Sequence, residues 1–276
     1  QGRGLLVSDS TQALTYLRFV GGYRLKGCWF HAVDPNTKCF PAGYTFEHLV
    51  QRCELDRELR AATITAIDRL EVAIRTAMAN HLSLAHGPHW FLDASIFKPT
   101  TRWGVGRFIK KIEDEVARAK SRLFVEHYLE HYDDPYLPPS WVIAECVSFG
   151  LWSHTFAILR DPKDRRAIAK KFGVDRAEVF ESWIHTLTVV RNIAAHHGQL
   201  LRVKLGVAPA NYKSKGLLFS QPKSFFAAAT VIQYLLNQTT LPHSWASDLQ
   251  GIFGKYPLVP IEDLGFMAQW KTAPGW

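Results

Sequence analysis

No run of this sequence approaches the roughly 20 apolar residues of a membrane-spanning helix, so a spanning segment is not expected. Gln1 to Ser10 lacks the charged, then apolar, then small order of a secretory signal. There is no initiating Met, so a trimmed start is expected. Cysteine is scarce, and Cys28, Cys39, Cys53 and Cys146 form neither a CxxC pair nor a zinc-finger spacing. Reduced, half-buried thiols in a cytoplasmic protein are therefore expected. The chain also lacks a Gly-rich phosphate loop, a GxSxG elbow and a Walker motif, which excludes the commonest nucleotide-dependent and serine-nucleophile enzymes. His127 and His131 are four apart on a helical segment, but the HExxH order and a third ligand are missing, so no metal site and no cofactor are expected. Internal repeats and low-complexity stretches are absent too.

What is present is an ordinary globular composition with a basic bias. The 276 residues are 47% apolar and 21% charged, enough chain and enough apolar matter for a folded core. Lys and Arg outnumber Asp and Glu by 33 to 25, a net charge of +8. An excess of that sign favours an anionic partner, of which nucleic acid is the commonest.

The apolar spacing is helical throughout. Ser10 to Val20 reads as a first helix stopped by Gly21-Gly22, and Tyr23 to Phe40 as an irregular segment with room for a short strand or hairpin. Thr45 to Ala85 carries Leu59, Thr63, Ile67, Leu70, Ile74 and Met78 in one stripe. At about 1.5 Å per residue it would reach about 60 Å, which leaves a kink or break open. Further helices are expected over Trp103 to Tyr132, Ser140 to Leu159, Asp161 to Phe172, Asp175 to Gly198, Ser224 to Asn237 and Trp245 to Phe253. A single all-α domain fits, with residues 1–44 as N-terminal helix and irregular segment, 45–238 as helical core and 239–276 as C-terminal appendage.

The sharpest local signal is Arg191-Asn192-Ile193-Ala194-Ala195-His196-His197-Gly198, at the end of the Asp175 helix. Asn192 and His196 share a helical face, and the two Ala residues leave room for close approach. Imidazole both accepts and donates protons near neutrality, and a guanidinium grips phosphate in two-pronged fashion and stabilises developing charge. The same residues also suit a plain C-terminal helix cap.

The motif and its companions resemble the bacterial abortive-infection family of the AbiD/AbiF type, within the HEPN superfamily. Gly22-Tyr23-Arg24-Leu25-Lys26-Gly27 is similar to an early YYRLSGY segment, with Gly22 in place of a Tyr. Tyr44-Thr45-Phe46, Leu55 to Arg60, Ile67 to Arg75, Ser182-Trp183 and Leu264 to Met267 with Trp270 follow in family order. The resemblance implies an all-α, HEPN-like helical bundle, usually dimeric, carrying a metal-independent endoribonuclease site. It implies Arg191, Asn192, His196 and His197 as catalytic residues, with His196 at the usual catalytic position and two copies of the motif meeting at a dimer cleft. It also implies a role in phage defence as an RNA-cleaving toxin.

Glu71 and Arg75, four apart, form either an exposed helix pair or a buried pair that orients the motif helix. Basic residues flank the motif on both sides: Lys163, Arg165, Arg166, Lys170 and Lys171 before it, Arg202, Lys204, Lys213, Lys215 and Lys223 after it. Tyr212 interleaves the second set as a candidate for stacking on a base. These residues are expected to form an RNA path, although solvated loops explain either run alone. Two other readings stay open: a non-enzymatic RNA-binding module controlled by a noncoding RNA, and a helical scaffold that engages a phage protein.

Overall fold

The computed structural model describes residues 2–99 and 104–276. Among them the chain is an all-α bundle, with β structure limited to isolated bridges such as Leu6 with Thr45. The helices are α1 (Ser10–Tyr16), α2 (Gly22–Trp29), α3 (Phe46–His86), α4 (Val105–Arg118), α5 (Leu123–His131), α6 (Ser140–Cys146), α7 (Phe149–Ile158), α8 (Pro162–Lys170), α9 (Ala177–Ala195), α10 (Phe225–Thr239) and α11 (Trp245–Lys255).

The 41-residue α3 is the axis of the molecule, and it runs unbroken. His48 Nδ1 accepts from the Thr45 backbone N–H at 3.2 Å and caps its first turn. Leu55, Leu59, Thr63, Ile67, Leu70, Ile74, Met78 and Leu82 recur at spacings of three and four, and all are fully buried. Against that stripe pack α6, α7, α8, α9, α10 and α11. Helix α10 is buried on every side from Ala227 to Leu236, as expected of a helix enclosed by others. Helix α9 is wedged between α3, α7, α8 and α10. Its Trp183 is fully buried and donates its indole N–H to the Ala210 carbonyl at 2.9 Å.

Several sequence expectations change here. Tyr23 to Phe40 opens not as a strand or hairpin but as α2, and Leu17–Gly21 joins α1 to it through a π-helical turn. The expected stop at the glycine pair holds: Gly21, at φ 87° and ψ 139°, leaves the helical conformation and caps the start of α2. The expected Trp103 to Tyr132 helix divides into α4 and α5, and its first residue, Trp103, lies outside the described residues. Ser140 to Leu159 likewise divides, at Val147-Ser148. The four thiols expected to be reduced are not all so: Cys28 of α2 and Cys53 of α3 form a disulfide with their Cα atoms 6.0 Å apart. A separation of 25 residues gave no spacing signal for it, because helix packing alone brings the two together. Cys39 and Cys146 are free. Among the described residues no helix is long and apolar enough to cross a membrane.

The far end of α3 is fastened by a carboxylate. His81 and His86 each place Nε2 on the buried Asp164 of α8, at 2.8 and 2.7 Å. Burial opposes ionisation of Asp164, but the two imidazole contacts outweigh it and hold the carboxyl below its ordinary value. A carboxyl depressed in the folded state stabilises the fold above its unfolded-state pKa. That contribution is lost as pH falls through the folded value. Wild type should therefore lose stability on acidification below the ordinary carboxylate range more steeply than Asp164→Asn. Urea midpoints across that pH range measure it, and identical slopes would contradict the assignment.

Candidate functional site

The site is built at the C-terminal end of α9. His196 closes the helix through its N–H to the Asn192 carbonyl at 3.0 Å. His197 follows in the left-handed region at φ 59°, with its N–H on Ala194 O at 3.2 Å, and Gly198 N–H returns to Ile193 O at 2.7 Å. This is a Schellman-type closure that satisfies the last carbonyls of the helix. Gly198 is required by a close approach: a Cβ there would lie 2.9 Å from Ile193 Cγ2 and 3.0 Å from its carbonyl oxygen. The carbonyls of Asn192, Ile193 and Ala194 are thus taken by backbone, and His196 and His197 are left exposed.

On the opposite side of the motif, Glu71 of α3 is buried between two guanidiniums. Its Oε1 lies 3.2 Å from Arg75 Nη2, and its Oε2 lies 3.7 Å from Arg191 Nε. Arg75 also donates to the Ala144 carbonyl at 2.8 Å, which ties α3 to α6. Arg191 is therefore held from α3 by its Nε edge. Its Nη1 lies 3.4 Å from Asn192 Oδ1, and the side chain keeps 39% of its surface exposed. A guanidinium anchored at one edge and open at the other can meet a phosphate.

The loop that follows the motif is clamped from two helices. Asp56 of α3 is buried, and its Oδ1 accepts both the Leu200 N–H at 2.8 Å and the Leu201 N–H at 2.9 Å. Its Oδ2 takes the Arg60 guanidinium. Burial pushes the Asp56 carboxyl up, while the two N–H donors and Arg60 pull the other way. From α2, Arg24 Nη2 donates to the His197 carbonyl at 3.1 Å, and Gln199 Nε2 donates to the Gly27 carbonyl at 3.3 Å. At the loop's end Arg202 meets Asp263, which also pairs with the buried Arg52. Asp56, Arg60 and Arg24 were not picked out as site residues from sequence. The signal that could have found them is an acid and an arginine four apart on the apolar stripe of α3, where ionic groups are rarely buried unless they are paired.

The residues expected along an RNA path fall into two groups. Arg166, Lys170, Lys171, Arg202, Lys204, Lys213 and Lys215 are exposed. Arg165 is not available to RNA: it is buried, pairs with Glu181 and lies 5.4 Å from the Phe156 ring centre. Tyr212 is not a stacking residue either. It is 1% exposed, its ring packs edge-on against Trp183 at 5.7 Å, and its hydroxyl donates to Asp175 at 2.7 Å. Both are core residues that order the start of α9. A groove of about 600 Å³ between α7 and α9 is lined by Glu178, Glu181 and His185 among others, an acidic lining that suits no phosphate. Among the described residues no three His, Cys, Asp or Glu side chains gather as a metal site.

Residues 15–202 match the family described as Abi-like protein, a span that runs from α1 to the end of the clamped loop and holds Asp56, Glu71, Arg75, Arg191, Asn192, His196 and His197. No curated protein and no solved structure matches the chain.

His197 carries a cost that its side chain must justify. An L-residue in the left-handed region is disfavoured by about 1–2 kcal/mol, of which glycine's greater unfolded freedom would offset about 0.5–1 kcal/mol. His197→Gly should therefore leave stability unchanged or raise it by up to about 1 kcal/mol, read as a urea midpoint. A clear loss of stability would show that the imidazole has a structural task instead.

Proposed function

The chain belongs to the Abi-like protein family, and from that premise we propose that it is a HEPN-type endoribonuclease toxin of abortive-infection phage defence, of the AbiD/AbiF type. The ribose 2′-hydroxyl attacks the adjacent phosphorus, the P–O5′ bond breaks, and a 2′,3′-cyclic phosphate and a free 5′-hydroxyl result. One imidazole takes the 2′ proton and another gives a proton to the departing 5′ oxygen. His196 does this work at the helix end, with His197 beside it. Arg191 stabilises the pentacoordinate transition state, and Asn192 steadies Arg191 or the phosphate. The nucleophile belongs to the substrate, so the chemistry requires no metal-activated water.

The observation that carries this reading is the division of labour at the motif. The carbonyls of Asn192, Ile193 and Ala194, which a capping side chain would seek, are taken by backbone N–H groups, and His196 and His197 are exposed beside an anchored, half-open guanidinium. A plain capping role predicts the reverse. The exposed lysines and arginines on both flanks support an RNA path, and a noncoding RNA that restrains the toxin would use the same cations. A homodimer brings two motifs together: Asn192, Ala195 and His196 are exposed at the end of α9, and a twofold axis there supplies an acid and a base on opposite sides of one phosphate.

Purified protein in EDTA should cleave RNA, and His196→Ala should lower the rate by about 10²–10⁴-fold. Arg191→Ala should lower it by about 10²–10³-fold. No cleavage by wild type, or undiminished cleavage by His196→Ala, would sink the proposal. Full specific activity from a monomer, by light scattering, would remove the composite cleft alone.

A further inference from the structure

Helix α2 meets the motif loop along one edge. Leu25 and Cys28 face inward, while Arg24 and Gly27 reach the loop through His197 and Gln199. A Cβ at Gly27 would lie 3.1 Å from Gln199 Oε1, so the loop sits directly on that turn. Tyr23 precedes Gly27 by four residues, which puts it about 40° around the helix and one turn back on the same edge. Its side chain is 92% exposed, more than any other large apolar or aromatic side chain among the described residues. Phe19, four residues earlier, is 76% exposed, and the Arg18 guanidinium lies 5.3 Å from its ring centre.

Two aromatic rings held in water beside a clamped loop are open binding surface. The charge around them selects the occupant. From Ser10 to Val33 the chain holds no Asp or Glu, while Arg18, Arg24 and Lys26 are exposed within that stretch. A second copy docking here would set like charge against like. An anionic polymer with flat, unpaired rings would satisfy both features at once, because each ring stacks on an aromatic face while its phosphate meets a cation. Bases inside a duplex are already stacked and cannot do this.

We infer that Tyr23 is a stacking platform for an unpaired base of the RNA strand whose phosphate lies at Arg191 and His196, with Phe19 as a second platform further along the strand. The inference rests on the ribonuclease reading and adds to it a substrate class: single-stranded rather than duplex RNA.

The test compares wild type, Tyr23→Ser and Tyr23→Phe on one RNA oligonucleotide, single-stranded and annealed to its complement. The single strand carries 2-aminopurine as a stacking reporter. Wild type should prefer the single strand and quench the reporter on binding. Tyr23→Ser should raise KM by about tenfold or more, the size of one lost base–aromatic stack, with kcat little changed and the quench lost. Tyr23→Phe keeps the ring and should restore both. Equal KM for wild type and Tyr23→Ser, or equal cleavage of duplex and single strand, would overturn the platform. Loss of a dimer, or loss of binding to anionic vesicles, on Tyr23→Ser with KM unchanged would assign the surface to a second copy or to lipid and also overturn it. The two readings fail separately. If wild type cleaves nothing yet quenches the reporter in a Tyr23-dependent way, the ribonuclease reading falls and the platform stands. If it neither cleaves nor binds, both fall.

Discussion

Asp56 is where the longest helix, the motif loop and α2 converge. Its carboxylate is buried beside the apolar stripe of α3, and three donors hold it there: Arg60 and the N–H groups of Leu200 and Leu201. Two successive backbone amides on one carboxylate oxygen fix the direction of the chain as it leaves the motif. Removing such a carboxylate would leave the Arg60 charge uncompensated, a defect of about 3–5 kcal/mol. Because α3 spans the whole bundle, a contact at Asp56 and another at Glu71 place the loop and Arg191 relative to one rigid element. The α2 helix closes the clamp from the other side, and the Cys28–Cys53 bond joins the two clamping helices one turn away from Asp56 on α3 and one residue from Gly27 on α2.

The chemistry follows from what this clamp leaves free. Most backbone donors and acceptors at the end of α9 are taken by one another, by Asp56 and by α2, and the side chains of His196 and His197 are left exposed. His197 even occupies a backbone conformation in which glycine would be easier. The exposed basic residues of the flanks and the stretch from Ser10 to Val33 without Asp or Glu are the cations the proposed RNA would meet, while Glu178 and Glu181 line a groove on the earlier half of α9.

Periodicity made the helices legible, because burial of one face repeats along the chain; the α3 stripe and the largely apolar α10 could be read residue by residue. The same logic fails where a helix restarts directly after a stop, as α2 does at Gly22, and where a two-residue break such as Val147-Ser148 leaves the apolar spacing intact. The run from Arg191 to His197 stood out in sequence as one short motif at a helix end, while its catalytic reading came from the family resemblance. Its supports did not stand out, since Asp56, Arg24 and Gln199 meet across 144 to 173 residues of sequence. Arg165 and Tyr212 show the opposite limit. A cation in a basic run and an aromatic among lysines look solvated in sequence, yet Glu181 and the Trp183 ring draw both into the core.

The central claim is that the substrate supplies the nucleophile to a His and Arg site at the end of α9. It is tested most directly by an RNA with a single 2′-deoxy substitution at the nucleotide 5′ to a mapped cleavage point. The account predicts that cleavage at that bond disappears, while other bonds in the same strand are cut as before and leave cyclic phosphate ends. Cleavage that persists at the deoxy position would show that water, not the ribose, attacks, and would contradict the roles assigned to Arg191 and His196.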